Sequence, residues 1–207
     1  MNVLNKIALY SKATDMGNMI GELIPKNKIT LLHGRSGCGK TLGILKYLIS
    51  NNIKPLFIDF DYNDEYTSMD IDHIDGYKLL KYMFDNIDDR DKLTEVKNDF
   101  KNRVVVVDTY AKCNIEMQSY TEGENGVEDF CTTLIDSGAT VIVIAHTTYY
   151  SMKPAEPDVN IQWANHLGAR LHLYKNISKK STEQYLIVEK LRNYSGPDKI
   201  VDWMVDR

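Results

Sequence analysis

Short runs of Val, Ile and Leu recur along the chain and are separated by helix-length stretches of mixed polarity. The runs are nearly continuous in apolar residues rather than alternating. That is the pattern of strands buried on both faces of a parallel sheet. Strands are predicted over 28–33, 55–60, 103–108, 140–145, 169–176 and 184–191, with a last short one near 200–205. Helices are predicted over 39–50, 77–87, 92–101 and 126–137. The alternation of strand and helix makes the expected class α/β, a mainly parallel central sheet flanked by helices. The pattern breaks over 147–160, where two prolines and no sustained periodicity predict a long loop. Loops of that length usually carry function or lack order. No repeat or linker divides the chain, so one main domain is expected over 28–207, preceded by a leader over 1–27. That leader, with Ile7, Leu9, Tyr10, Met19 and Ile20, suits packing on a neighbouring subunit or capping the chain's own sheet.

Composition narrows the setting. At 207 residues the chain is long enough to bury roughly 70% of its unfolded surface. A hydrophobic fraction of 43% and a charged fraction of 26% are those of an ordinary globular domain. No apolar run approaches the ~20 residues that span a bilayer, and the N-terminus lacks a signal-peptide pattern, so no membrane partner and a cytoplasmic location are expected. Cys38, Cys113 and Cys131 have no metal-ligand spacing, which fits a reducing compartment. A formal charge of −4 argues against coating nucleic acid by bulk electrostatics. The charge is uneven, however. Residues 59–91 hold 11 acids against 3 Lys or Arg, whereas residues 166–192 hold 6 Lys or Arg against 2 Glu. The basic segment suits an anion, and two differently charged solvated faces would read the same way.

The sharpest chemical signal is Gly34-Arg35-Ser36-Gly37-Cys38-Gly39-Lys40-Thr41, a GxxxxGK[ST] octapeptide between a predicted strand and a predicted helix. At average residue usage such a match arises by chance in roughly one chain of this length in a hundred, before its flanks are required. Glycines let main-chain N–H groups curl around a phosphate, and the helix N-terminus adds its partial positive charge. Lys40 supplies a mobile cation for the β- and γ-phosphates, and the Thr41 hydroxyl suits Mg²⁺. The expected ligand is therefore ATP with Mg²⁺.

Further along, the apolar run 103–108 ends in Asp108, the form of a Walker B strand whose acid helps hold magnesium. Thr109 follows rather than a Glu, so a hydrolytic base must come from elsewhere. The run 55–60 supplies candidates in Asp59 and Asp61, of which Asp61, nearer the strand end, is favoured as general base. Asp64, Glu65, Asp70, Asp72 and Asp75 follow closely, so a solvated acidic stretch is the alternative. The run 70–76 matches a calcium loop too loosely to be read as one. The third apolar run, 140–145, leads into His146, where an imidazole can touch a γ-phosphate and report its loss.

In this order the motifs resemble those of RecA-like ATPases of the DnaB and RepA hexameric helicase group, from about Lys28 onward. FIDFD places Asp61 where that family carries its catalytic acid, usually Glu. VVVVDTYAK resembles its Walker B strand, and VIVIAHTT its histidine strand. Val188-Glu-Lys-Leu-Arg-Asn-Tyr-Ser-Gly-Pro197 is similar to the family's Lys-x-Arg-Asn-Gly-Pro ending, with Tyr194-Ser195 inserted. The resemblance implies a RecA-like P-loop fold with a C-terminal β-hairpin. It also implies that Lys190 and Arg192 reach a neighbouring subunit's γ-phosphate, so that the chain works as a homo-oligomeric ring or filament. It further implies that the histidine strand lies between the P-loop and Walker B strands, with the acid strand beyond. Loops facing a central channel then make Tyr149, Tyr150 and Lys153, and secondly Lys179 and Lys180, candidates for single-stranded DNA contact.

The leading expectation is an ATP-hydrolysing protein of DNA replication or recombination, a helicase core or a strand-annealing ATPase, dependent on replication partner proteins for any origin or primase task. A slow nucleotide-dependent regulatory module is the alternative. A small P-loop kinase fits less well because no paired-arginine lid is present, and a GTPase is excluded by the lack of an Asn-Lys-x-Asp element.

Overall fold

The computed structural model describes residues 19–62, 64–121, 126–148, 156–160, 163, 167–177, 182–191 and 199–202. A short antiparallel pair, β1 (Met19–Ile20) and β2 (Ile24–Pro25), precedes the P-loop strand β3 (Ile29–Gly34) and helix α1 (Lys40–Ser50). Then follow β4 (Leu56–Asp59), β5 (Asp72–Asp75), α2 (Gly76–Asp85), α3 (Arg90–Phe100), β6 (Val104–Asp108), α4 (Tyr110–Gln118) and α5 (Gly126–Asp136). The chain continues with β7 (Thr140–Thr148), β8 (Glu156–Pro157), β9 (Ala169–Ile177), β10 (Thr182–Leu191) and β11 (Lys199–Asp202).

Eight of these strands form a continuous sheet in the order β11-β10-β9-β3-β7-β6-β4-β5, with β8 added antiparallel to β7. From β9 to β5 every neighbouring pair is parallel, while β10 and β11 turn back antiparallel as a C-terminal hairpin layer. The expected placement of the histidine strand, between the P-loop strand and the Walker B strand with the acid strand beyond, is the one observed.

The continuous apolar runs follow from burial on both faces. All five residues of β6 are buried, and Val105, Val106 and Val107 are fully so, each worth about 1.5–3 kcal/mol relative to exposure. Val105 and Val107 face one core with Leu31, Ile58, Leu80, Cys113 and Phe130, beneath α2, α4 and α5. Val106 faces the other with Leu32, Phe57, Ile142, Leu45 and Leu48, beneath α1. Ile20, Leu23 and Ile24 close this second core, and the Tyr47 hydroxyl donates to Ile20 O at 3.2 Å. The end of the leader thus packs on the chain's own sheet.

Besides the two-residue strands, one strand and one helix among the described residues lie outside the sequence prediction. β5 is an edge strand, Asp72-His73-Ile74-Asp75, with an acid at each end and Ile74 alone joining the core, so its run lacks the apolar density of the others. Helix α4 is short and buries only Tyr110, Cys113 and Met117 along one stripe, leaving Ile115 exposed. The long-loop prediction over 147–160 is also corrected in part: Thr147 and Thr148 extend β7, and Glu156–Pro157 pairs back onto them.

Candidate functional site

Strand β3 delivers the glycine loop to the middle of the parallel sheet, at the C-terminal strand edge where α/β sheets bind ligands. Gly37 (φ 69°) and Gly39 (φ 90°) adopt left-handed backbone that side chains resist, and Gly39 caps the N-terminus of α1. Gly34 is required for a different reason, because a Cβ there would land on the Leu173 carbonyl oxygen of β9. Lys40 is almost fully buried, and its ammonium donates to Gly34 O at 3.0 Å and Arg35 O at 2.8 Å. Burial lowers its pKa, while Cys38, Asp108 and Asp61 act to raise it. Arg35, Ser36 and Gly37 are exposed at the loop crest, and Cys38 turns into the core beneath.

Beside the lysine, the Thr41 hydroxyl donates to Asp108 Oδ2 at 2.6 Å, joining the P-loop helix to the end of β6. Asp108 is 2% exposed, and its carboxyl is pushed up to about 7, chiefly by burial and further by Asp61 and Asp59, against the hydrogen bond from Thr41. Thr109 caps α4 by accepting from Lys112 N at 3.5 Å, so its hydroxyl is a structural group.

The two acids of the FIDFD segment part company. Asp59 is buried at the end of β4, held by His73 Nε2 at 3.1 Å, and it accepts the Asp61 N–H at 2.7 Å. Asp61 lies past the strand end in a bend, its carboxylate about a third exposed and 3.6 Å from Lys112 Nζ. His146 on β7 brings Nδ1 to 3.5 Å from Lys40 Nζ, and burial first, then Lys40, lowers its pKa. Lys40, Thr41, Asp61, Asp108 and His146 therefore gather at one edge from β3–α1, β4, β6 and β7.

Of the remaining candidates, Lys190 pairs with Arg170 in the β9–β10 ladder, and its side chain lies outside the described residues. Arg192, Tyr149, Tyr150, Lys153, Lys179 and Lys180 also lie outside them.

Sequence reasoning missed several partners. Gln184 of β10 donates from Nε2 to Cys38 O at 2.9 Å, tying the hairpin to the P-loop. Tyr66, on the turn after β4, stands beside Thr41 and Glu65, and its phenol pKa is raised, first by burial. One residue before Gly34, fully buried His33 meets Glu189 of β10 through Nε2 at 2.9 Å. Burial acts to raise the Glu189 carboxyl, but His33, Arg170 and His172 together hold it below its usual range. The signal for this cluster was polar residues at inward positions of three apolar strands, which becomes legible only once strand order is known.

The sheet order, the P-loop leaving its central strand and the C-terminal hairpin together define a RecA-like P-loop nucleoside-triphosphatase fold. Among solved structures, the chain is similar to a KaiC-like protein from the hyperthermophilic archaeon Pyrococcus horikoshii. The TM-score is 0.55 at 15% identity, over 92% of this chain and 91% of that one. No protein-family model and no curated protein matches the sequence. No helix among the described residues is long and apolar enough to cross a membrane.

Proposed function

We propose that this chain is an oligomeric, magnesium-dependent ATPase that acts on single-stranded DNA in replication or recombination. The observation that carries the hydrolytic reading is the convergence of Lys40, Asp61, Asp108 and His146 at one strand edge. Thr41 and Asp108 fit a magnesium ion, since they present two hard oxygen donors side by side, 2.6 Å apart. Magnesium, when bound, supplies charge neutralisation at the β- and γ-phosphates.

The chain's own residues supply the rest. Lys40 exchanges the carbonyls of Gly34 and Arg35 for phosphate oxygens, which its buried setting makes a strong interaction. Asp61, exposed enough to meet water, accepts the proton of the attacking water molecule. His146, in reach of Lys40, contacts the terminal phosphate and passes its loss to the segment after β7. Lys190 and Arg192 act across the subunit boundary on the charge that develops in the transition state. Tyr149, Tyr150, Lys153, Lys179 and Lys180 meet the DNA.

One observation favours a second reading, a slow nucleotide-dependent regulatory module. Asp61 has a shorter reach than Glu, and Lys112 stands 3.6 Å from its carboxylate, which restrains it. Steady-state ATP hydrolysis with and without single-stranded DNA, over a series of protein concentrations, separates the two. A rate per subunit that rises with concentration and again with DNA supports the motor. A slow rate indifferent to both overturns it in favour of the module.

A further inference from the structure

We propose that His33, His172 and Glu189 form a binding site for a divalent transition-metal cation of the zinc class, separate from the magnesium position at Thr41 and Asp108. These are two imidazoles and a carboxylate brought from three adjacent strands, the donor set of zinc sites that keep a position open. Their ligand atoms all lie within 4.8 Å of one another. His33 Nε2 is 2.9 Å from Glu189 Oε2, and His172 Nδ1 is 3.6 Å from Glu189 Oε1. Those separations bracket the ~3.3 Å between ligands that bonds of about 2.0–2.1 Å to a tetrahedral ion require.

The backbone fixes this geometry. Parallel pairing of β3 with β9 sets His33 directly beside His172; the rings stack at 4.5 Å and 13°, and a rotation of the partly exposed His172 ring aims its nitrogen at an ion shared with His33. The β9–β10 ladder shifts register between Val188 and Lys190, so Glu189 is the extra residue of a β-bulge, a device that re-aims side chains. The rings and carboxylate have partners of the kind that orient metal ligands. His33 Nδ1 lies 3.2 Å from Thr147 Oγ1, and Arg170 Nε stands 2.6 Å from Glu189 Oε2. Arg170 holds Oε2 as a close ion pair, and Oε1 is left facing His172 as the oxygen most open to a cation. His33 is closed off from solvent, whereas the side chains of His172 and Glu189 are 11% and 20% exposed, which gives a cation a way in. A bound ion ties the C-terminal hairpin to the strand that carries the P-loop.

The test is a Co²⁺ titration of the purified chain in excess Mg²⁺, followed by visible absorption, with Zn²⁺ as competitor. The expected result is one equivalent of Co²⁺ with d–d bands of a low-coordinate nitrogen and oxygen site, without sulfur charge-transfer bands, displaced by Zn²⁺. His172→Gln and Glu189→Gln each weaken binding at least tenfold. The Zn²⁺-dependent rise in thermal midpoint is lost in both, while their circular dichroism spectra stay unchanged. Absence of a stoichiometric band, or a band that survives in both variants, overturns the site and leaves a proton-held His33–Glu189 pair. If His172→Gln fails to fold, Glu189→Gln alone decides between these outcomes.

Discussion

At the level of single residues, the candidate site divides its acids by environment. Asp59 is spent on structure, accepting from the Asp61 amide and facing His73, whereas Asp61 keeps a carboxylate that water can reach. Asp61→Asn is therefore expected to lower kcat by about 10²–10⁴-fold, the usual worth of a general base, with ATP affinity changed only a few-fold. Single-turnover hydrolysis beside nucleotide titration checks this, and a variant that keeps its rate would remove Asp61 from the role. Lys40→Ala is expected to lose nucleotide binding as well as hydrolysis, because its ammonium sits inside the loop on the Gly34 and Arg35 carbonyls. Much of this was legible in sequence. The P-loop, Asp108, Asp61 and His146 all lie at the ends of apolar runs, where strand ends meet ligand. His73, Tyr66, Gln184 and the His33–Glu189 pair were not legible, because their contacts span 14 to 156 positions along the chain.

At the level of elements, β5 is held less by apolar burial than by charge. Asp72 pairs with Lys54 at 2.8 Å and with Arg103, whose residue precedes β6, and these partners lower its carboxyl pKa. A depressed carboxyl contributes stability that is present above its unfolded value of about 3.9 and is lost as pH falls through the folded value. The urea midpoint of the chain is thus expected to exceed that of Asp72→Asn at pH 7, with the gap closing below about pH 4. A gap independent of pH would show that the pairs add nothing at this exposed edge. The P-loop turn makes a steric demand instead. Gly34→Ala drives a methyl group into the Leu173 carbonyl of β9 and is expected to cost about 1–3 kcal/mol, read as a lowered thermal midpoint. Edge strand β5 and helix α4 escaped sequence prediction because each buries only a thin apolar stripe, while the runs of β3, β6 and β7 announced themselves through burial on both faces.

At the level of the whole molecule, the sheet order places the P-loop strand between the histidine strand and the hairpin, so both flanks of the nucleotide loop border elements that can carry its state outward. The proposed assembly predicts that Arg192→Ala abolishes hydrolysis while ATP binding is kept, and that mixing it with Lys40→Ala subunits partly restores turnover. Complementation of this kind requires the two residues to meet across a subunit boundary, and its absence in an assembled mixture would return Arg192 to its own chain. The sequence by itself determined the α/β class, the phosphate loop and the acids and histidine at its rim, because these depend on local runs and fixed short spacings. Only the tertiary structure decided that Asp59 is structural, that the leader's end folds onto its own sheet, and that a histidine before the P-loop meets a histidine and a glutamate from the hairpin. Those outcomes depend on which strands become neighbours, and in a parallel sheet that choice is made by packing across long crossovers rather than by any local pattern.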